Sequence, residues 1–135
     1  MPTRKELSAD KKAAIMNNAN NIARYWALLG MKLVEVKEGW AKVKLPFDEK
    51  LTQPMGIAHG GAVFSPADSA VALALAGMVD EDEIYTTLEM KLNFLKPFNR
   101  GELIAEATII HKGQNIAVGE VVVTNERGKL IAKGE

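Results

Sequence analysis

The feature that most constrains the fold of this chain is a long apolar segment in its middle. Residues 70–79 are ten consecutive residues without a polar side chain. They continue an alanine-rich stretch that opens with His-Gly-Gly at residues 59–61, and we predict one helix over residues 59–79. A helix that is apolar on every side is normally buried all round, and this run is about half of the ~20 residues that span a bilayer. Other elements of the chain must therefore surround this helix.

Alternation of apolar and polar residues predicts strands on both sides of the apolar helix. Residues 34–37 and 41–45 alternate around Glu38-Gly39, which is typical of a hairpin. Residues 84–95 alternate without interruption, and we predict one long strand there with a half-buried face. Further strands are predicted at residues 102–111, 115–124 and 129–133.

The N-terminal segment has the pattern of an amphipathic helix over residues 8–30. Ser8 suits its N-cap and Gly30 its C-terminal stop. Four asparagines between residues 17 and 21 weaken a helix, so a break near Asn20 is expected, and we interpret their side chains as a solvated helix face. Apolar residues at steps of four and three form one stripe: Ile15, Ala19, Ile22, Trp26 and Leu29.

The order of these elements is a helix, a hairpin, the apolar helix and then four strands. A single curved antiparallel β-sheet wrapped around a central buried helix accounts for this order, which makes the fold class α+β. A length of 135 residues fits one domain with a core of its own. We therefore predict one domain over residues 1–135, in which residues 1–30 form an N-terminal helical extension.

The composition excludes several classes of function. The 17 basic and 17 acidic side chains give zero net charge, so the chain has no electrostatic footprint for nucleic acid or an anionic membrane. The absence of cysteine excludes disulfides, thiolate zinc sites and cysteine nucleophiles. His59 and His111 are the two histidines and do not form a ligand pair, so no metal site is predicted. Because the N-terminus is polar and lysine-rich, we predict no signal peptide and expect a cytoplasmic protein.

Asp68 is the polar residue that a purely structural role explains least well. It falls among apolar neighbours in the predicted helix, where an ionised carboxylate needs hydrogen bonds or a charged neighbour. In an apolar pocket such a carboxyl group can act as a general base. The alternative is that Asp68 caps another element or meets water at an end of the helix, and the residues alone favour neither.

His59, Gly60 and Gly61 stand where the helix begins. Glycines let a ligand approach the backbone, and the free N–H groups at a helix start could hold a phosphate or the oxyanion of a carbonyl under attack. A simple turn is the alternative interpretation of the glycines. His59 and Asp68 are nine residues apart, ~13 Å along a helix, so one copy cannot easily bring both ends to one carbonyl. Two antiparallel copies can, and a two-fold dimer is therefore part of the hypothesis.

Two sequence motifs, with one aspartate between them, occur in order along the chain. They are Gln-x-x-Gly-x-x-His-Gly-Gly at residues 53–61, Asp68, and Thr-x-Glu-Met-Lys-x-Asn-Phe-Leu-Lys-Pro at residues 87–97. Together they resemble the hotdog-fold acyl-CoA thioesterases, with the phenylacetic-acid-degradation type as the most similar branch. The resemblance extends from residue 31 to the end. It implies a curved sheet around a central helix, homodimers that share two active sites and often form tetramers, and hydrolysis of an acyl-CoA thioester to a carboxylate and free coenzyme A.

The resemblance also implies roles for individual residues. Gly60 would donate its backbone N–H to the thioester carbonyl. The carboxylate of Asp68 from the partner subunit would be the general base or the attacking nucleophile. Gln53 would help to hold the carbonyl or the water, and Thr87 would position the water. His59 would orient the loop by hydrogen bonds rather than take a proton.

Coenzyme A is part of the substrate in this family, so no separate cofactor is expected. Its phosphates call for basic side chains near the site. Lys96 and Arg100, which follow the predicted long strand, are the first candidates, and Lys112 is the next. Gly61 is also assigned to the coenzyme A site, because a glycine lets the ligand come close to the backbone.

Pro66 departs from what the resemblance implies, because it lies inside the predicted central helix. It lacks an N–H and should clash with the carbonyl of Ala62, so we expect a kink or a late helix start. Three other functions stay open: hydration or dehydration of an acyl thioester, a non-catalytic acyl-CoA-binding module, and a structural dimer. Asp68 argues against the binding module, because a mere binder has no reason to bury a carboxylate beside a carbonyl.

Overall fold

Six strands and one long helix dominate the structure, a computed structural model that describes residues 4–135. The helices are α1 (Ala9–Asn17), α2 (Arg24–Leu29) and α3 (Gly60–Ala76). A π-helical turn at Asn18–Ile22 joins α1 to α2, and a 3₁₀ turn at Glu49–Leu51 precedes α3. The strands are β1 (Lys32–Lys37), β2 (Trp40–Pro46), β3 (Leu92–Phe94), β4 (Glu102–Lys112), β5 (Ala117–Asn125) and β6 (Leu130–Gly134).

All six strands of the described chain join one antiparallel sheet in the order β1-β2-β4-β5-β6-β3. The β4–β5 pair is the longest and runs from Leu103 opposite Asn125 to Lys112 opposite Ala117. The helix α3 packs across the middle of the sheet, against β2, β4 and β5. These observations confirm the predicted α+β fold, with a curved antiparallel sheet over a central helix and an N-terminal helix.

The alternation of the strands decides which residues face α3. Every second residue of the central strands is buried against the helix: Ala41, Val43, Leu45, Leu103, Ala105, Ala107, Val121 and Val123. On α3 the facing residues are the fully buried Ala67, Ala70 and Ala74, whose small side chains let helix and sheet approach closely. Burial of a Val or Leu side chain stabilises the fold by roughly 1.5–3 kcal/mol. Because a slip of one residue would expose this whole set, the burial pattern defines the register.

Residues 4–135 cover only one side of α3. Its buried residues are Ala62, Val63, Pro66, Ala67, Ala70 and Ala74, and the residues on the opposite side, Asp68 among them, are half-buried. The prediction of a helix buried all round is therefore wrong for one copy, because a single sheet covers a single face. The helix also begins at Gly60 and continues through Pro66, so the expected late start is wrong. The expected kink stays a prediction.

The N-terminal helix is interrupted as the asparagines indicated. Ser8 caps α1 by accepting from the Lys11 N–H, and Gly30 ends α2 in the left-handed conformation with φ +89°. Between them the extended residue Ala23 separates the π-helical turn from α2. This break shifts the phase of the apolar stripe, which leaves Ile22 61% exposed rather than facing the core.

Asn20 and Lys12 are among the residues that hold the N-terminal segment along the edge strand β1. The Asn20 side chain accepts from Leu33 N–H at 2.8 Å and donates to Leu33 O at 3.1 Å. The expectation of a solvated side chain is therefore wrong for Asn20, since this amide pairs with the free backbone of a sheet edge. Lys12 Nζ lies 2.7 Å from Glu35 Oε1, and this hydrogen bond lowers the pKa of Glu35 below its ordinary value.

Residues 84–91 are the largest departure from the predicted secondary structure. Instead of one strand over residues 84–95, only Leu92–Phe94 is a strand, paired with β6. The alternating residues before it find no neighbouring strand within the described chain, and Ile84 and Leu88 are 97% and 79% exposed. A strand needs a partner strand for its hydrogen bonds, and the described part of one chain does not provide one.

The C-terminal end of α3 is held from two directions. Lys11 Nζ donates to Val79 O at 2.8 Å, which ties α1 to the residues just after the helix. In addition, Gly77 lies so close to β1 that a Cβ built on it would meet Lys37 O at 2.7 Å. The helix end therefore depends on the absence of a side chain at residue 77.

We predict that Gly77→Ala lowers the free energy of unfolding by about 1–3 kcal/mol, the usual cost of overpacking against a backbone that must shift. Urea denaturation followed by circular dichroism measures this change. The matched control is Gly60→Ala at the start of the same helix, where an added Cβ meets only Phe94 ring carbons at 3.6 Å. Equal stability of Gly77→Ala and the wild type would contradict the close approach.

Candidate active site

The first turn of α3 leaves one backbone donor free. His59 is the N-cap, and its Nδ1 accepts from Gly61 N–H at 2.8 Å. Because Nδ1 accepts, a neutral His59 carries its proton on Nε2. The His59 carbonyl in turn accepts from Ala62 N–H at 2.8 Å, whereas the Gly60 N–H donates to no acceptor within residues 4–135. This N–H stands at the positive end of a 17-residue helix, which favours a negative charge in front of it.

The loop before α3 is fixed by backbone hydrogen bonds to two other segments. His59 N–H donates to Leu51 O at 2.7 Å, and Ala58 N–H donates to Phe98 O at 2.8 Å. The first of these ties the loop to the 3₁₀ turn, and the second ties it to the segment after β3. The start of α3 is thereby held in place by backbone contacts that do not depend on flexible side chains.

A groove of about 420 Å³ opens beside the Gly60 N–H. A Cβ placed on Gly60 would be 3.6 Å from the Phe94 ring, so this ring forms a wall of the groove next to Gly60. Gln53 and Lys96 are the polar side chains at the groove, and the remaining side chains are apolar: Ile57, Ala58, Val63, Phe94, Leu95, Pro97 and Phe98. The structure thus brings Gln53, Gly60 and Lys96 together around one apolar groove.

Gln53 is held by its own loop. Its backbone N–H donates to Ile57 O at 2.9 Å, and its carbonyl accepts from Gly56 N–H at 2.9 Å. The side-chain Oε1 accepts from the Met55 N–H. The side-chain nitrogen is then the group that Gln53 has available to donate to a ligand.

Asp68 lies on the half-buried side of α3 that faces away from the sheet. The hydroxyl of Thr87 donates to Asp68 Oδ1 at 2.8 Å, so the irregular segment before β3 orients the carboxylate, while Oδ2 accepts from no donor within residues 4–135. Eight residues separate Asp68 from Gly60 in one helix, which corresponds to ~12 Å along its axis. The structure therefore pairs Asp68 with Thr87 but keeps this pair apart from the Gly60 N–H of the same chain.

Tyr25 and Ser65 form a contact beside this site that sequence patterns did not predict. Tyr25 Oη lies 2.7 Å from Ser65 Oγ, and the Ser65 hydroxyl donates to Gly61 O at 2.9 Å. Ser65 is one turn before Asp68 on the same side of α3. No spacing or motif links residues 25 and 65, because tertiary packing of α2 alone brings them together. The one available signal was a serine within an otherwise apolar helical turn.

The basic residues and Gly61 are not all placed at the groove. Lys96 lines it, whereas Arg100 is exposed outside the lining. Lys112 is ten residues along β4 from Glu102, ~33 Å at the usual rise of a strand, and does not line the groove. The N–H of Gly61 is already engaged with His59, so this residue offers close backbone approach rather than a free donor.

The described residues show neither a cluster of metal ligands nor a membrane segment. Within residues 4–135 no group of three His, Asp or Glu side chains is placed to hold a metal ion. None of the helices in this part of the chain combines the length and apolarity needed to cross a bilayer. The chemically distinctive groups of the site are a carboxylate, a hydroxyl, an amide and a helix terminus.

Comparison with known proteins identifies the family. Residues 55–132 match the model of the thioesterase superfamily. This match includes the first turn of α3, Asp68, Thr87 and most of the sheet. The chain therefore belongs to the thioesterase superfamily, as the resemblance in its motifs predicted, and it is a thioester hydrolase with the hotdog fold.

Individual relatives agree with this assignment. The chain is 36% identical over 103 residues to 1,4-dihydroxy-2-naphthoyl-CoA hydrolase of Listeria monocytogenes, covering 76% of this chain and 84% of the relative. The structure of thioesterase HI1161 from Haemophilus influenzae superposes with a TM-score of 0.82 at 26% identity, covering 99% of this chain and 90% of that one. A mutant of the phenylacetic acid degradation protein PaaI from Thermus thermophilus gives a TM-score of 0.76 at 27% identity, covering 83% of this chain and 94% of that one.

The two glycines at the start of α3 are predicted to respond differently to alanine. A Cβ on Gly61 would lie 3.0 Å from His59 Nδ1 and displace the cap, whereas a Cβ on Gly60 makes an ordinary 3.6 Å contact with Phe94. Loss of an N-cap costs about 1 kcal/mol, so Gly61→Ala should be less stable than Gly60→Ala by about that amount in urea denaturation. The gain in helix propensity is common to both variants, and equal stabilities would show that His59 is not the cap.

Proposed function

We propose that this protein hydrolyses an acyl- or aryl-CoA thioester to a carboxylate and free coenzyme A. The observation that carries the proposal is the free Gly60 N–H at the start of a long helix, beside an apolar groove. A carboxylate that is already oriented by a hydroxyl lies on the same helix. The name of the Listeria relative supports a coenzyme A thioester, since that protein is a hydrolase of such a compound.

In the proposed reaction, Asp68 activates water and Gly60 stabilises the charge that develops. The thioester carbonyl oxygen points at the Gly60 N–H, and the free Oδ2 of Asp68 takes a proton from a water molecule. The hydroxide adds to the carbonyl carbon, and the Gly60 N–H together with the helix dipole holds the oxyanion. The intermediate then collapses, the C–S bond breaks, and the proton on Asp68 passes to the departing thiolate.

The proposed site is shared between two copies of the chain. Asp68 lies ~12 Å along the helix from Gly60, too far for both to act on one carbonyl. In a two-fold dimer with antiparallel α3 helices, Gly60 of one chain meets Asp68 of the other, and the symmetry produces two equal sites. The half-buried side of α3 and the exposed Ile84 and Leu88 support this arrangement, because a second copy would cover these surfaces.

The remaining site residues are proposed to prepare the substrate and the water. Gln53, whose side-chain nitrogen is available, would donate to the thioester carbonyl or the water. Thr87 donates to Asp68 and so keeps lone pairs with which it can accept from the same water. His59 would act through its cap, which fixes the turn that presents Gly60.

The groove suits a ligand that is apolar at one end and anionic at the other. Its lining is largely apolar, which fits an acyl group or the carbon chain of the pantetheine arm, and Lys96 offers a cation for a phosphate. Arg100 and Lys112 are proposed for the nucleotide end as well, although one chain alone does not place them at the groove. Homodimers are the proposed minimum unit, with tetramers as a further assembly.

Asp68→Asn is predicted to reduce thioester hydrolysis by at least about 10²-fold, the usual size of a general-base contribution. Asparagine has the same shape and can still accept from Thr87, so the fold and the binding of a thioester should remain. Free thiol release from a panel of aryl-, short-chain and medium-chain acyl-CoA thioesters measures the effect.

The matched control for this prediction is Asp10→Asn, a change of the same charge at an exposed position in α1. Its activity should equal that of the wild type. Unchanged hydrolysis by Asp68→Asn would remove Asp68 from the mechanism. Tight binding of the panel without thiol release by the wild type would instead favour the binding module.

A further inference from the structure

The hydrogen bond between Tyr25 and Ser65 has a defined donor and a defined acceptor. The Ser65 hydroxyl has one proton and donates it to Gly61 O at 2.9 Å. In the 2.7 Å contact with Tyr25, Ser65 must therefore accept, and Tyr25 must donate. The two hydrogen bonds thus run in the same sense, from the N-terminal extension into the first turn of α3.

The same chain of bonds continues to the free donor of the site. The carbonyl of Gly61 and the N–H of Ala62 belong to one peptide group, and this N–H donates to His59 O at 2.8 Å. The carbonyl of His59 and the N–H of Gly60 belong to another single peptide group. Three hydrogen bonds and two peptide groups therefore connect the Tyr25 hydroxyl to the Gly60 N–H.

We propose that this chain of three hydrogen bonds, which we call the relay, positions and polarises the Gly60 N–H for the oxyanion. This inference rests on the proposed thioester hydrolysis. Hydrogen bonds in a chain strengthen one another by about 10–30% per bond in condensed phases. Donation into a peptide carbonyl makes the N–H of the same peptide group more positive, and here the last such N–H is that of Gly60. Tyr25 and Ser65 are positioning residues, because neither contacts the oxyanion itself.

The relay gives the N-terminal extension a function in the site. Tyr25 belongs to α2, which follows the π-helical turn that packs against the edge strand β1, whereas Thr87 precedes β3 at the opposite edge. The outward side of α3 therefore receives a hydroxyl from each edge of the sheet. The Tyr25 hydroxyl acts on the N-terminus of α3 through the relay, and the Thr87 hydroxyl orients the Asp68 carboxylate.

Tyr25→Phe tests the relay, because it removes the hydroxyl and keeps the ring. We expect a kcat about three- to tenfold below that of the wild type with little change in KM, which is a smaller loss than the roughly 10²–10³ that follows removal of an oxyanion donor. Ser65→Ala should lose the same amount, and the double variant no more than Ser65→Ala alone, because both changes interrupt one chain. Ser69→Ala is the matched control, since its hydroxyl makes no hydrogen bond with residues 4–135 and its kcat should not change.

A second readout does not depend on activity. Glycine-selective ¹⁵N labelling gives one amide signal for each of the 11 glycines. The Gly60 amide proton should move upfield in Tyr25→Phe and in Ser65→Ala, since a less polarised N–H is more shielded, and it should not move in Ser69→Ala. A role limited to anchoring the N-terminal segment would lower stability but would leave this signal and kcat unchanged.

The outcomes separate the relay from the proposed function. If the wild type hydrolyses thioesters through Asp68, an unchanged kcat and an unmoved Gly60 signal in Tyr25→Phe would overturn the relay alone. Independent, multiplicative losses in the double variant would overturn it as well. If the wild type releases no thiol from any thioester, the proposed function fails, and the Gly60 signal still decides whether the hydrogen-bond chain polarises this amide.

Discussion

The packing of the alanine face of α3 onto the middle of the sheet is the contact on which the rest of the structure depends. Ala67, Ala70 and Ala74 are completely buried, so the helix lies close to β2, β4 and β5 and cannot rotate without exposing the core. This contact determines where two parts of α3 point. It points the N-terminus of the helix towards the groove, and it turns Asp68 away from the sheet.

That geometry keeps the two parts of the proposed site apart on a single chain. The Gly60 N–H and the groove lie at the start of the helix, whereas Asp68 and Thr87 lie two turns further along it. The described chain also leaves the outward side of α3 half-buried, and Ile84 and Leu88 are 97% and 79% exposed. A second copy placed by two-fold symmetry would complete the site and cover the apolar surface in the same step, so the proposed catalysis and assembly have one physical cause.

Sequence patterns predicted the parts of the fold that depend on local information or on burial within one chain. The hairpin at Glu38-Gly39, the break near Asn20 and the three C-terminal strands are of this kind. The strand predicted over residues 84–95 was wrong over most of its length, because the described part of one chain provides no neighbouring strand for residues 84–90. The contact of Asn20 with Leu33 and that of Tyr25 with Ser65 were missed for another reason, since packing of the extension creates them and no spacing encodes them. For the site, the sequence motifs identified Gly60, Asp68 and Thr87. The Asp68–Thr87 hydrogen bond and the free Gly60 N–H became visible only in the three-dimensional structure.

Subunit complementation shows whether each site takes its oxyanion donor from one chain and its carboxylate from the other. Gly60→Pro removes the N–H at the first position of α3, where proline fits a helix and the extended His59 before it is compatible. This variant and Asp68→Asn should each be inactive alone. Unfolded together in equal amounts and refolded, they should recover about a quarter of the wild-type activity, because half of the dimers are mixed and each mixed dimer has one intact site of two. If the mixture stays as inactive as the two separate variants while mixed dimers are shown to form, the site does not lie between two chains.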